Sequence, residues 1–371
     1  MRVNSLKLVN YRNYQELELA FQPALNIFIG CNAQGKTNIL EAVYYAACGS
    51  SFRGNSDGEL IKWNADGGSI SLGFSRLEVA NQLDFAFRRD KRRTIVYNGQ
   101  KIPLRELIGA FNVVLFAPDD LLLIKGAPAG RRKFLDMEIS QASPAYYREL
   151  ITYNRLLQQR NSLLKEIREG KSKAGMLEFW NPQLAASAAK ITAKRLEAVQ
   201  KFNMLANLMQ RRISGNEENL SLSYQIKGME NGELAENMEI WYNEMLHGLN
   251  NEEIYRGVTC VGPHRDDIIV SVNGINLKSF GSQGQQRTAV LSMKLSELEF
   301  IRSETGEYPV LLLDDVMSEL DAGRRQQLLN FIEREGIQTL ITATDEAYFQ
   351  QAPLKTYFHV EAGQVKVVNK V

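Results

Sequence analysis

Three clusters of residues in this chain of 371 residues could do chemistry, and each lies beside a run able to position it. The first is Gly30-Cys31-Asn32-Ala33-Gln34-Gly35-Lys36-Thr37, a glycine, four residues, then Gly-Lys-Thr. Gly30 and Gly35 let the backbone curl so that successive N–H groups point at phosphate oxygens, and a helix starting near Lys36 adds its positive end. Lys36 would reach the β and γ phosphates of a nucleoside triphosphate, and the Thr37 hydroxyl would hold Mg2+. The second cluster is Asp314-Asp315, closing the aliphatic run Val310-Leu311-Leu312-Leu313. Alone, such a pair reads equally well as a helix N-cap; beside a phosphate loop, Asp314 becomes the candidate Mg2+ ligand and Asp315 the group that orients and activates an attacking water. The third is Phe280-Gly281-Ser282-Gln283-Gly284-Gln285-Gln286-Arg287, which opens a helix whose first N–H groups could face an anion.

The elements required around these clusters are legible. Leu25-Asn26-Ile27-Phe28-Ile29 reads as a buried strand leading into the loop, Asn38 to Cys48 as the helix leaving it, and Val310–Leu313 as a central parallel strand with its acids at the C-terminal edge, where open α/β sheets place ligands. Strand patterns occupy 2–9, 16–21, 70–76, 82–89, 93–102 (with Asn98-Gly99 as a hairpin turn) and 111–116. After Gly130 the period becomes helical: Leu150, Tyr153, Leu157 and Leu164 form one stripe, and Ile191, Ala198, Phe202, Leu205 and Met209 another. Gly170 to Gly175 and Asn181-Pro182 interrupt them, predicting an antiparallel helical arm. Strand patterns return at 254–260 and 268–272. The expectation is an α/β head built from residues 1–120 and 254–371, with a mainly helical lobe, 121–253, inserted between them.

Composition narrows the class. The net charge is only +1, yet Lys125 to Arg212 holds 17 Lys and Arg against 7 acids, while Ile213 to Glu253 holds one Lys against 9 acids. A further basic run is Arg88-Arg89 with Lys91-Arg92-Arg93. Such clusters neutralise phosphate and favour sequence-independent, salt-sensitive nucleic-acid binding, although any single one is as readily a solvated surface charge. Cys31, Cys48 and Cys260 are scattered and odd in number, which predicts a reducing compartment without a disulfide framework. Cys31, inside the loop, is either oxidation-sensitive or simply small. His247, His264 and His359 share no zinc-ligand spacing. No apolar run approaches the ~18 residues of a membrane span, so a soluble cytoplasmic protein is expected.

The third cluster resembles, by its place ahead of the acidic strand, the Ser-Gly-Gly-Gln signature of ABC-type ATPases, and Ser318-Glu319-Leu320-Asp321 resembles their D-loop. Taken with Asn10-Tyr11-Arg12-Asn13-Tyr14, Phe116-Ala117-Pro118-Asp119-Asp120, Gly126 through Arg131-Arg132 to Phe134-Leu135-Asp136, and Gly262-Pro263-His264-Arg265-Asp266-Asp267, the chain resembles, over nearly its whole length, the RecF family of bacterial recombination mediators within the SMC/Rad50/ABC-type ATPase heads.

That resemblance implies ATP and Mg2+ as cofactors, and a signature, Ser282, Gln283, Gly284 and Gln285, that with Asp321 closes over the γ-phosphate held by another copy, giving an ATP-dependent homodimer. It implies roles for Arg12 and Arg53 toward adenine, phosphate or DNA; each could equally be a surface arginine. Asp119 stands at a Mg2+-sensing position, its alternative being a helix N-cap. Thr344 stands at the switch position, where relatives often carry histidine; it can hydrogen-bond a γ-phosphate but cannot act as a base. Asp315, one methylene shorter than the usual glutamate, implies slow hydrolysis, and Gln283 in place of glycine could crowd or reorient the contact with the other copy; the resemblance implies a weak, DNA-stimulated ATPase. The implied partners are double-stranded and gapped DNA bound without sequence specificity at single-strand/double-strand junctions, then RecR, RecO and RecA-type proteins, with no membrane and a nucleoid-associated location. The Gly262–Asp267 segment dictates no chemistry: either a turn presenting His264 and Arg265 to phosphates, or a buried ion-pair network. The competing classes are a transporter ATPase subunit, an ATPase nuclease, and a clamp holding ATP without turnover.

Overall fold

The protein was analysed as a computed structural model that describes residues 1–54, 56–229, 235–349 and 354–368. It separates into two compact units, Met1–Asp120 with Lys294–Val371, and Leu121–Met293.

The first unit contains two six-stranded sheets. One is mainly parallel, in the order Gln364–Val368, Lys355–Glu361, Leu25–Ile29, Thr339–Ala343, Val310–Asp314, Val113–Phe116, with the first strand antiparallel at its edge. Every residue of Leu25–Ile29, Thr339–Ala343 and Val310–Asp314 is buried, which is why these strands read as continuous apolar runs. Their register pairs Asp314 with Thr342 and Ala343 with Ile29, so Gly30, Asp315 and Thr344 all leave the sheet at one edge. The helix Lys36–Cys48 follows, burying Ile39, Leu40, Val43, Ala46 and Ala47, and ends at Gly49, whose φ of 63° suits a left-handed cap.

The other sheet is antiparallel, in the order Tyr14–Ala20, Arg2–Tyr11, Gly67–Arg76, Val79–Arg88, Lys91–Tyr97, Gln100–Lys101. Val3, Leu6 and Leu8 are all buried despite the odd first spacing, because the pairing register shifts between Val3 and Ser5.

In the second unit the helices Pro144–Arg168 and Leu177–Ile213 run antiparallel: Arg160 meets Asn181 while Glu149, about three turns earlier, meets Ser187. Ser143 caps the first by accepting from Tyr146 N. A three-stranded sheet, Ile275–Asn276, Asp267–Val272, Leu220–Gln225, completes the unit.

Three features differ from the sequence expectation. The sequence pattern ends the insertion at 253, but the second unit runs to Met293, since Asp267–Val272 pairs with Leu220–Gln225; alternation reveals a strand, not its neighbour. Residues 254–260 are not a strand: Asn250–Arg256 is helical, stopped by Gly257 at φ 69° and anchored through Glu253, whose carboxylate lies 2.6 Å from the buried Arg160 guanidinium. Pro182 lies inside the long helix, not between helices. Near the helix start it removes a single backbone bond, which packing of the remaining turns outweighs.

Candidate functional site

The loop Gly30–Gly35 is shaped by contacts that exclude side chains. A Cβ on Gly30 would stand 2.2 Å from the Val360 carbonyl oxygen, and one on Gly35 2.5 Å from Asn13 Nδ2. Gly35 at φ 114° and Ala33 at φ 64° supply the left-handed turns. Gly35 caps the helix without a side chain, its carbonyl accepting from Asn38 N at 3.0 Å.

Two outer turns brace this loop. Asn13 Nδ2 donates to Gln34 O at 3.0 Å, Tyr14 Oη to Gly35 O at 3.0 Å, and Asn38 Nδ2 to Asn13 Oδ1 at 2.8 Å. From the other side, Ala362 N donates to Gln34 Oε1 at 2.6 Å and Gly363 N to Gln34 O at 3.3 Å. Asn13 and Tyr14 belong to a segment noted in the sequence, but its bracing role depends on tertiary contact.

Lys36 is buried, and its ammonium donates to Gly30 O at 2.5 Å and Cys31 O at 2.9 Å. Burial lowers its pKa, against the opposing fields of Asp315, Cys31 and Asp314. Cys31 itself is exposed and free, and Asn32 and Ala33 are exposed beside it.

Asp314 is buried, and its Oδ1 accepts from Thr37 Oγ1 and from Thr342 Oγ1, each at 2.8 Å. Thr342 also accepts from Asp315 N at 2.9 Å, so one hydroxyl ties both acids to the neighbouring strand. The sequence reading did not single out Thr342; its signal was a polar residue in a wholly buried strand. Asp315 has φ 53°, a strained backbone for a non-glycine residue. Burial raises its pKa, Lys36 opposes this, and Asp314 and Glu319 add to it. Thr37 and Asp314 together offer hard oxygen donors of the kind Mg2+ takes when phosphate and water complete its shell.

The segment after Asp315 is held from below. Asp321 caps the helix Ala322–Glu335, accepting from Arg324 N at 2.9 Å, while Arg325 Nη1 donates to Met317 O at 3.1 Å and Leu320 O at 3.0 Å. The Arg325 guanidinium also covers the Tyr348 ring at 4.6 Å. Arg325 was missed by sequence reasoning, which offered no signal beyond a basic pair.

The remaining candidates in this unit divide. Arg53 donates to Asn38 Oδ1 at 3.0 Å, one residue beyond Thr37. Arg12 turns to the wholly buried Glu41, donating through Nε at 2.8 Å and Nη2 at 2.5 Å, and through Nη1 to Glu59 O at 2.9 Å. Thr344 is exposed just beyond Ala343. Asp119 is exposed, and no hydrogen bond joins it to Thr37 or Asp314. The N-cap alternative is not realised either: Leu121 precedes the helix Leu122–Lys125, and it is Asp120 that accepts from Ala117 N at 2.7 Å.

In the second unit, Ser282 forms a reciprocal capping pair with Gln285: Ser282 N donates to Gln285 Oε1 at 3.1 Å and Gln285 N to Ser282 Oγ at 3.2 Å. One first-turn amide of the helix Gln283–Thr305 is therefore already satisfied, while Ser282, Gln283 and Gly284 remain exposed.

The Gly262–Asp267 segment is tied into a hydrogen-bonded network, with Arg265 exposed and donating to Thr259 O through Nε at 3.1 Å and Nη2 at 2.8 Å. Asp266, 1% exposed, accepts from Tyr224 Oη at 2.7 Å and Lys227 N at 2.9 Å. Arg131 makes a two-pronged pair with Asp267 at 2.7 and 2.8 Å, and Arg195 another with Asp136 while donating to Pro263 O at 2.6 Å. His264 lies between Tyr153 Oη at 2.6 Å and Thr259 O at 3.1 Å; burial lowers its pKa to about 4, so the ring is neutral at pH 7. Arg131, Arg160 and Arg195 are buried, which removes three of the cations counted toward a basic lobe.

Residues 2–368 match the family model described as RecF/RecN/SMC N terminal domain. The chain is 44% identical to the DNA replication and repair protein RecF of Alkaliphilus oremlandii, covering 98% of this chain and 100% of that one. It is 45% identical to the RecF of Halothermothrix orenii, covering 93% and 92%. The solved structure of the recombination mediator protein RecF with ATP, in the RecFOR pathway, superposes with a TM-score of 0.92 at 34% identity, covering 99% of this chain and 98% of that one. An Smc head domain with an extended coiled coil, bound to the C-terminal domain of ScpA, from Pyrococcus furiosus, gives 0.58 at 16% identity over 99% and 96%, a likeness of fold alone.

Proposed function

Because this chain belongs to the RecF family of DNA replication and repair proteins, itself a branch of the SMC-type ATPases, we propose that it is an ATP-dependent DNA-binding recombination mediator whose nucleotide site is completed by a second copy of the chain. The observation that carries this is the cluster of Thr37, Asp314, Thr342 and Asp315 at the mouth of the Gly30–Thr37 loop, with Asp314 Oδ1 accepting from both threonines at 2.8 Å.

In this reading the amides of Cys31 to Thr37 and the Lys36 ammonium bind the triphosphate, Lys36 leaving the loop carbonyls for phosphate oxygens. Thr37 and Asp314 would hold Mg2+, which would supply positive charge to the triphosphate. Asp119 would stand at the Mg2+-sensing position. Asp315 orients the attacking water, and its shortened carboxylate keeps turnover slow. Thr344 hydrogen-bonds the γ-phosphate, and Arg53 stands at the phosphate end of the helix Lys36–Cys48. Arg12 acts at one remove, fixing that helix through Glu41. Ser282, Gln283 and Gly284, exposed on a helix N-terminus, with Gln285 and Asp321, serve the nucleotide of the other copy. ATP then joins the two chains and hydrolysis parts them.

The exposed basic residues of the first unit's hairpin and of the second unit bind duplex and gapped DNA through phosphate, with RecR, RecO and RecA-type proteins as partners at single-strand/double-strand junctions. Among the described residues no helix is long and apolar enough to cross a membrane. The test is sedimentation with ATP, ADP or no nucleotide. Lys36→Ala should lose ATP binding and pairing together. Ser282→Arg should keep ATP binding by the single chain and lose only pairing. Equal loss of ATP binding in both variants would defeat the assignment of Ser282 to the other copy.

A further inference from the structure

Trp63 is 88% exposed, the highest value among the exposed large hydrophobic residues described. Tryptophan is on average a well-buried residue, so an indole projected fully into water invites the question of what covers it. The backbone beneath it is fixed. Ala65 N donates to Lys62 O at 3.1 Å across the turn, Lys62 N to Asn10 O at 2.8 Å, and Ile61 bridges to Tyr11. Arg89 then ties the turn to the neighbouring hairpin, donating through Nε to Ala65 O at 3.0 Å and through Nη2 to Lys62 O at 3.3 Å. Asn64 takes φ 66°, holding the turn's far side. Trp63 therefore stands on a turn pinned by backbone bonds and by the Arg89 guanidinium, in a stretch rich in cations.

Those cations are Lys62 and Arg89 in the turn contacts and Arg88, Lys91 and Arg92 on the adjoining hairpin, where Arg88 pairs with Lys91. Asp66 and Asp90 are the acids among them, so this turn and hairpin carry five cationic residues and two acidic ones. A flat aromatic face beside guanidinium and ammonium groups is the arrangement that stacks a nucleobase while neutralising its phosphates. In a duplex the base faces are covered by their neighbours, so an indole can engage only an unpaired base, whereas the cations accept either form.

We infer that Trp63 is a base-stacking platform for single-stranded nucleic acid, with Lys62, Arg89 and the hairpin residues Arg88, Lys91 and Arg92 as its phosphate clamp. This rests on the DNA-binding function proposed above and deepens it, because it assigns recognition of the unpaired side of a gap to one residue. A membrane surface is disfavoured: interfacial anchoring needs a broad apolar face, and Trp63 is followed by Asn64, Ala65 and Asp66. The platform also has a route to the nucleotide loop, since Lys62 Nζ donates to Asn13 O at 3.2 Å and Asn13 Nδ2 to Gln34 O at 3.0 Å.

The experiment compares full-length wild type, Trp63→Ala and Trp63→Tyr with ATP present, binding a gapped duplex, a blunt duplex of the same length, an oligo(dT) strand, and vesicles of phosphatidylserine and phosphatidylcholine. Trp63→Ala should weaken gapped-duplex and oligo(dT) binding about tenfold, the scale of one lost base-aromatic stack. Blunt-duplex binding and ATP turnover should stay unchanged, and Trp63→Tyr should recover most of the loss. Equal binding by Trp63→Ala and wild type on the gapped duplex overturns the platform, as does an equal loss on gapped and blunt duplexes, or a loss confined to vesicles. Wild type that binds none of the DNAs defeats the parent function, and the platform falls with it.

Discussion

Among the regions of this molecule where carboxylates stand near cations, two use them oppositely. Around the Gly30–Thr37 loop, Asp314 and Asp315 are held by threonine hydroxyls, and Lys36 rests on backbone carbonyls instead of closing a salt bridge with either acid. Behind Gly262–Asp267, each acid is consumed by a guanidinium or a phenol at hydrogen-bonding distance. A site that must take up and release a polyphosphate keeps its charges on neutral partners that a ligand can replace. A scaffold cancels its charges internally, and breaking such a pair leaves a buried ion without compensation.

The largest effect expected from this contrast is on stability in the second region. Arg195→Met should cost about 3–5 kcal/mol by stranding Asp136, seen as a lower urea midpoint at unchanged slope. In the first region, Asp315→Asn should change stability by no more than about 0.5 kcal/mol while turnover falls about 100-fold, measured by phosphate release. The raised pKa of Asp315 means that its ionised form opposes folding above that pKa, so the small change should be toward greater stability at pH 7. Should Arg195→Met melt like wild type while Asp315→Asn unfolds, the contrast would be reversed.

A smaller effect is set by pH. The folded pKa of His264, about 4, lies below the unfolded value near 6.5, so the unfolded chain binds the proton first. Stability from this group is complete above about pH 6.5 and is lost as pH falls toward 4, by about 3 kcal/mol in all. Asp266 and Glu253, both raised by burial, act in the opposite direction in acid. Comparing wild type with His264→Gln isolates the histidine: the variant should show a flatter loss of stability between pH 6.5 and 4. Identical profiles would remove His264 from the neutral network.

Smallest is Thr342→Val, which keeps shape but deletes the hydroxyl joining Asp314 to the Asp315 amide. It should cost about 1–2 kcal/mol of stability and slow turnover about tenfold by loosening both acids. Turnover at the wild-type rate would show that Thr37 alone positions Asp314.

Much of the site was legible because its chemistry is local in sequence. Gly30, Gly35, Lys36 and Thr37 lie within one loop, and the strands Leu25–Ile29 and Val310–Asp314 announce themselves by unbroken apolar runs. Pairing partners were not legible. Nothing in 268–272 says that it joins Leu220–Gln225, so the expected boundary at 253 fell 40 residues short of the unit's end at Met293. The charge count also misled, since composition does not distinguish an exposed arginine from Arg160, which is 0% exposed and meets Glu253 at 2.6 Å.

The amino-acid order alone determined that a phosphate loop, an acidic strand end and a capped helix exist, because each depends on backbone geometry and side-chain types within about ten residues. Only the tertiary structure decided that Thr342 binds Asp314 and the Asp315 amide together, that Asn13 and Gly363 brace Gln34, and that Arg12 serves Glu41. Each of those contacts joins residues from 21 to 329 positions apart in sequence. Strand register and helix packing select such partners by burial and shape, quantities that a linear order of side chains does not contain.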